Sequence, residues 1–314
     1  MEDHSSRGSV LVALALLCFF SGGAESARVF TIVNRCKTSI WPAAIPGDSF
    51  GGGGFELQPG QSAVFKAPVS WTSGRIWART ECSFDSRGNG TCATGSCGPT
   101  LKCGVAGETP ASLAEFTLAA SGGKDYYDVS LVDGFNLPVL ITPVNGKGNC
   151  SAAGCVGDLR DDCPPELAVK VGGRTVACRS ACDVFDTDQY CCRGIDGGPG
   201  TCNPTVYSKK FKGACPTAYS YAYDDPSSLF TCFNADYIIT FCSSRKHSEC
   251  SYHNNRLICS GSNWRWPSSM SSLLVHVLLF TILSSRIPVH VHRKRVLATL
   301  MKVFDKAIES RLDR

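Results

Sequence analysis

Between residues 27 and 242 the chain alternates polar and apolar positions at a period of two, the pattern of strands with one face buried. Ala114-Glu115-Phe116-Thr117-Leu118 and Tyr127-Asp128-Val129-Ser130-Leu131 carry it most clearly. Val29-Phe30-Thr31-Ile32-Val33, Ser39-Ile40-Trp41 and Tyr237-Ile238-Ile239-Thr240-Phe241 are β-branched and aromatic runs of strand length. Gly51 to Gly54, Pro59-Gly60 and Ser73-Gly74 interrupt these runs at the spacing of turns in a β-sandwich. Between Cys150 and Cys215 the pattern shortens and cysteines crowd in; only Cys178 to Phe185 and Pro204 to Lys212 suit a helical turn or two. The prediction is a mainly β chain with a cysteine-dense insertion.

Two longer apolar runs flank this body. Val10 to Phe20 is followed by small residues up to Ala24-Glu25-Ser26-Ala27, the layout of a secretory signal peptide over residues 1–26. Its amino-terminal flank is atypical, since Arg7 is outweighed by Glu2 and Asp3. The second run, Leu273 to Leu283, is broken by His276 and Thr281 and is too short to cross a bilayer. Widening it to Pro267–Ser285 gives a span that admits several serines, with Arg293-Lys294-Arg295 as a cytoplasmic flank. Ser260-Gly261-Ser262 would suit attachment of a lipid anchor, but such a signal ends with its apolar run, whereas here Val296 to Leu312 continues as a basic amphipathic stretch. The extension 243–314 is thus open to membrane attachment or to a plain secreted terminus.

Cysteine changes the picture more than any other residue type. Sixteen of the chain's 19 cysteines lie from Cys36 to Cys242, a density that predicts eight disulfides and an oxidising compartment. Structural zinc is the rival, but no CxxC pair recurs at finger spacing and all six histidines lie outside residues 27–242. The adjacent Cys191 and Cys192 must find different partners. Cys250 and Cys259 offer a ninth bridge. The body holds 18 Lys+Arg against 20 Asp+Glu and the tail from Ser243 holds 12 against 4, so the overall charge of +4 belongs to the tail and the body disfavours nucleic acid. Without histidine, the body cannot build a Ser–His or Cys–His nucleophile. Gly51 to Gly54 lacks the lysine of a phosphate loop and reads as a link between strands. No cofactor and no metal is expected.

Gly88-Asn89-Gly90-Thr91-Cys92-Ala93-Thr94-Gly95-Ser96-Cys97, followed by Cys103, resembles the signature of the thaumatin-like proteins, plant pathogenesis-related proteins of the osmotin and thaumatin type. Gly74-Arg75-Ile76-Trp77, Leu113-Ala114-Glu115-Phe116, Asp128 through Asn136 and Ser220-Tyr221-Ala222-Tyr223-Asp224-Asp225 resemble it too. The likeness spans residues 27–242 and all sixteen cysteines; Ser96 departs from it, standing where the family usually has Asp. It implies the pairs Cys36–Cys242, Cys82–Cys92, Cys97–Cys103, Cys150–Cys232, Cys155–Cys215, Cys163–Cys178, Cys182–Cys191 and Cys192–Cys202. It also implies a flattened antiparallel β-sandwich (27–79, 112–155 and 216–242), a disulfide-rich loop and helix region (156–215), a small loop region (80–111), and a cleft between the first two.

The resemblance places Arg75, Glu115, Asp128, Asp133 and one of Asp224 and Asp225 around that cleft, an acidic surface associated in relatives with antifungal action and β-1,3-glucan binding. Carboxylates accept hydrogen bonds from sugar hydroxyls, and crowding them raises at least one pKa. Trp77, Phe116, Tyr126, Tyr127, Phe135 and Tyr223 offer stacking faces, although residue patterning without the resemblance favours solvated or loop-capping acids and core aromatics. Three readings follow: a secreted, monomeric apoplastic defence protein that binds fungal cell-wall carbohydrate and perturbs the fungal surface; a weak endo-β-1,3-glucanase with Glu115 as acid and Asp128 or Asp133 as nucleophile or base; and an inhibitor or recognition module acting through its loops. The sequons at Asn89 and Asn149 are candidate glycosylation sites, the second in competition with closure of the Cys150 disulfide.

Overall fold

The computed structural model describes residues 27–243, save 69, 121 and 156, and the backbone of two further strands, Cys250–His253 and Arg256–Cys259. Two five-stranded sheets pack face to face. One runs β10 (Ala153–Gly154), β9 (Val139–Val144), β14 (Asp236–Phe241), β1 (Val29–Asn34), β3 (Ser62–Lys66). The other runs β13 (Phe230–Phe233), β8 (Lys124–Ser130), β7 (Leu113–Thr117), β4 (Gly74–Thr80), β2 (Ile40–Ile45). The alternation read from sequence decides which side chains lie between them: Ala114 and Phe116 of β7 and Tyr127 and Val129 of β8 enter the core, where Phe30 of β1 meets Phe116 edge-on at 4.8 Å. Aromatic pairs of this geometry add to the area they bury.

One pairing departs from an all-antiparallel sandwich. β1 and β14 run parallel, with Phe30 opposite Tyr237 and Asn34 opposite Phe241. Parallel neighbours need a long connection, and here it is the whole domain, because the first and last strands of the sandwich are the ones that pair. The Cys36–Cys242 disulfide fastens their ends, with Cα atoms 5.0 Å apart. All eight disulfides implied by the resemblance are formed, and Cys191 and Cys192 part to Cys182 and Cys202.

The cysteine-dense region has more regular structure than its pattern predicts. After a 3-10 turn at Leu159–Asp162 it forms an antiparallel hairpin, β11 (Ala168–Val171) and β12 (Arg174–Cys178), whose register shifts between Val169 and Lys170. That irregularity, with exposed Lys170 and Arg174, hides its alternation. Cys178 therefore ends a strand; the helix follows at α1 (Ala181–Phe185), capped by the Ser180 side chain. After the short α2 (Asp188–Cys191), α3 (Val206–Ala214) starts behind a reciprocal cap between Thr205 and Ser208, so Pro204 and Thr205 lie outside it. A further turn, α4 (Asp225–Ser228), precedes β13.

The small loop region, with the hairpin β5 (Ser83–Phe84) and β6 (Gly90–Thr91), sits on the outer face of the second sheet. Arg79, fully buried on β4, holds it there: the guanidinium donates to the carbonyls of Trp41 (3.1 Å), Thr100 (3.2 Å) and Leu101 (2.8 Å). Burial lowers the Arg79 pKa to about 10. The Gly51–Gly54 loop runs close by, and a side chain at Gly53 or Gly54 would collide with the carbonyls of Cys103 or Leu101. Deeper in the sandwich, Arg28 pairs with buried Asp125 (2.9 Å), which also accepts from Tyr237 (3.1 Å) and the Ala119 amide (3.0 Å), joining β1, β8 and β14.

Beyond the sandwich, Cys250–His253 and Arg256–Cys259 form an antiparallel pair with Cys250 opposite Cys259; their side chains, and hence a ninth bridge, lie outside what is described. So do the predicted signal peptide, the apolar run 273–283 and the basic stretch after it. Among the described residues no helix is long and apolar enough to cross a membrane. Asn89 and Asn149 are both exposed. Removing one member of the buried Arg28–Asp125 pair should expose the penalty of the other: Asp125→Ala is expected to lower unfolding free energy in urea by about 3–5 kcal/mol. A loss below about 1 kcal/mol would contradict the role given to this pair.

Candidate functional site

Strand register builds the site. Arg75 on β4 lies opposite Glu115 on β7, and Glu115 lies opposite Asp128 on β8, so the three form one row across the second sheet. All three occupy the outward phase of their strands, since their neighbours Ile76, Ala114, Phe116, Tyr127 and Val129 fill the core. Arg75 Nε contacts Glu115 Oε1 at 2.8 Å, with both side chains half-buried. Like charges directly opposite on neighbouring strands repel, and the Glu115–Asp128 pair is such a juxtaposition.

Electrostatics divide the two acids. Burial pushes the Asp128 carboxyl up to about 8, helped by the charges of Glu115 and Asp225 and only partly opposed by Arg75. Asp128 Oδ1 is shielded from solvent and has no hydrogen-bond partner. Burial also raises Glu115, with Arg75 pulling it down and Asp133 pushing it up. At neutral pH, then, the row presents a cation, the carboxyl paired with it and a carboxyl that burial holds protonated. Burial raises both carboxyls; the large shift falls on Asp128, while Arg75 opposes the rise at Glu115.

The remaining predicted residues separate. Asp133, just after β8, is within electrostatic reach of Glu115, and exposed Asp225 is within reach of Asp128. Asp224 is not an open acid. It is buried and accepts from Lys212 (2.8 Å), the Ser220 amide (3.0 Å) and hydroxyl (2.8 Å), and Ser227 (3.0 Å). Burial alone would raise its pKa, but the hydrogen bonds from Lys212 and Ser220 hold it below the ordinary value. Asp224 fixes the 212–228 segment, and Asp225 is its outward neighbour.

The aromatic set also needs correction. Trp77, Phe116, Tyr127 and Phe135 are buried in the core and cannot stack on a ligand. Tyr126 is exposed, two residues from Asp128 on the same strand face, while the Tyr223 hydroxyl is bonded to the Gly197 carbonyl. Sequence reasoning missed Tyr219, which bridges to Ser130 at the end of β8 and donates to Asp225 Oδ1 at 3.0 Å. Its one available signal was its place six residues before Asp225. Ser96 lies away from the row, its hydroxyl turned on the Gly98 backbone.

The chain matches the model of the thaumatin family over residues 34–243. It is 55% identical over 238 residues to pathogenesis-related thaumatin-like protein 3.5 of Cryptomeria japonica, covering 74% of this chain and 98% of the relative. It is 54% identical over 231 residues to pathogenesis-related protein 5 of Arabidopsis thaliana, covering 73% and 96%. Among solved structures it is similar to the thaumatin-like xylanase inhibitor TLXI (26% identity, TM-score 0.39, covering 68% of this chain and 99% of the other). A second is the laminaripentaose-producing β-1,3-glucanase of glycoside hydrolase family 64 from Paenibacillus barengoltzii (14% identity, TM-score 0.48, covering 69% and 75%).

A carboxyl raised from 3.8 to about 8 is a stability statement. The folded state binds this proton more tightly than the unfolded chain, so the stability it confers is complete below about pH 4 and is lost as pH rises through about 8. Asp128→Asn should therefore gain on the wild type steadily across that window in urea unfolding, and Glu115→Gln should flatten the wild-type dependence. A difference between wild type and Asp128→Asn that is constant with pH would contradict the raised carboxyl.

Proposed function

The chain belongs to the thaumatin family, and from that premise we propose that it is a secreted plant defence protein whose Arg75–Glu115–Asp128 row binds β-1,3-glucan of fungal cell walls. Relatives named pathogenesis-related support the defence role, and eight formed disulfides suit an extracellular setting. The observation that carries the binding reading is the shielded, unpartnered oxygen of Asp128 beside an ion-paired carboxylate. A buried polar atom without a partner is costly, and a sugar hydroxyl supplies the missing partner. The row offers complementary chemistry to such a ligand. Arg75 donates, Glu115 accepts, and the protonated Asp128 can do either. Tyr126 adds an exposed ring on the same face.

A second reading, hydrolysis of the same glucan, is favoured by the split between the acids. A glycosidase needs one protonated carboxyl to give its proton to the leaving oxygen and one ionised carboxylate to act as nucleophile or base. Asp128, raised to about 8, suits the proton donor, and Glu115, paired with Arg75, suits the nucleophile or base, the roles opposite to those expected from sequence.

Laminarin binding by calorimetry tests the first reading: the wild type should bind, and Glu115→Ala should weaken binding by about tenfold or more, the loss of a hydrogen bond to a charged group. Absence of binding by the wild type, or unchanged affinity in Glu115→Ala, would overturn it. Release of reducing ends from laminarin tests the second: any activity should fall as pH rises through about 8, where Asp128 loses its proton, and should vanish in Asp128→Asn. Hydrolysis that persists in that variant would remove the assignment.

A further inference from the structure

A cavity of about 410 Å³ lies between the small loop region and the β11–β12 hairpin, away from the acidic row. Ser96, Glu108 and Thr109 form one wall, and Ala168, Val169 and Arg179 the other. Its volume is in the range of pockets that enclose small-molecule ligands. Arg179 follows the last residue of β12, and its Nε is shielded from solvent without an acceptor. Among the described residues no carboxylate is paired with it. A guanidinium cannot shed its charge, so it is a permanent cation whose buried N–H awaits an oxygen.

The other groups narrow the choice of anion. A guanidinium fork matches the plane of a carboxylate and takes it in two parallel hydrogen bonds. Glu108, exposed at the rim, accepts from hydroxyl groups and repels a second negative charge, which disfavours phosphate and sulfate. Ser96 Oγ donates to the Gly98 carbonyl and Thr109 Oγ1 to Asp183, but each oxygen keeps a lone pair to accept from a polyhydroxylated partner, and Ala168 with Val169 provides an apolar patch for the C–H face of a ring. Ser96 matters by what it is not. The thaumatin-like pattern usually has Asp at this position, and a carboxylate there would put a negative charge into the cavity that Arg179 lines.

We infer that this cavity is a second carbohydrate site, specific for a uronic-acid unit whose carboxylate Arg179 holds and whose hydroxyls Glu108 and Ser96 contact. It does not depend on the function proposed for the acidic row, with which it shares no residue. The test is calorimetric titration of the full folded protein with digalacturonate, with cellobiouronic acid and with neutral cellobiose. At least one acidic disaccharide should bind; which one does distinguishes a galacturonate from a glucuronate source. Cellobiose should bind at least about tenfold more weakly, and Arg179→Gln should lose about ten- to hundredfold of the acidic affinity, the loss of a charge-assisted bond. Ser96→Asp should produce a comparable loss, and because it installs the residue usual in the family it keeps the test decisive should Arg179→Gln fail to fold. Absence of binding by either acid, equal affinity for cellobiose, competition by sulfate at equal strength, or full binding in Ser96→Asp would overturn the inference.

Discussion

Glu115 and Asp128 face each other across neighbouring strands, and the chemistry of this protein depends on that enforced closeness. In a mobile loop two carboxylates would turn apart and titrate normally. On β7 and β8 they cannot, because Phe116, Tyr127 and Val129 on either side of them are fixed in the sandwich core. Arg75, delivered to the same row by β4, pairs with Glu115 and opposes the rise of its pKa. Asp128 is left with burial and like charge, so it keeps its proton and an oxygen without a partner.

The frame that enforces this is assembled from both ends of the chain. The parallel pairing of β1 with β14, fastened by Cys36–Cys242, closes the first sheet, and Asp125 locks β8 to it through Arg28 and Tyr237. A disulfide that closes so long a loop removes much of the unfolded chain's freedom, an effect of roughly 4–5 kcal/mol in chain-entropy models. Arg79 performs the same task without a covalent bond, joining the loop region to the second sheet through three carbonyls. Rigidity of this kind is what allows two carboxyls to stay in an unfavourable juxtaposition in the folded state.

Much of this is legible in the sequence. Alternation in Ala114–Leu118 and Tyr127–Leu131 locates β7 and β8, and the same alternation puts Glu115 and Asp128 on the outward phase of their strands. The disulfide pairs follow from the family resemblance and not from spacing. What stays hidden is non-local. Nothing in Tyr237–Phe241 announces that its neighbour is Val29–Asn34 running parallel. Arg79 reads as one more surface cation until its three carbonyl partners are known, and Trp77 or Phe135 looks as free to meet a sugar as Tyr126. Asp224 and Asp225 are adjacent and chemically identical; Lys212, Ser220 and Ser227 together decide which of them is consumed internally. The β11–β12 hairpin escapes notice because its register shift breaks the period that reveals strands.

The claim that the fold holds Asp128 protonated beside the Arg75–Glu115 pair is tested most directly by following the Asp128 side-chain carboxyl carbon by NMR from pH 3 to pH 10. The expected result is a midpoint for Asp128 near 8. A midpoint for Asp128 near the ordinary aspartate value of about 4 would contradict the claim.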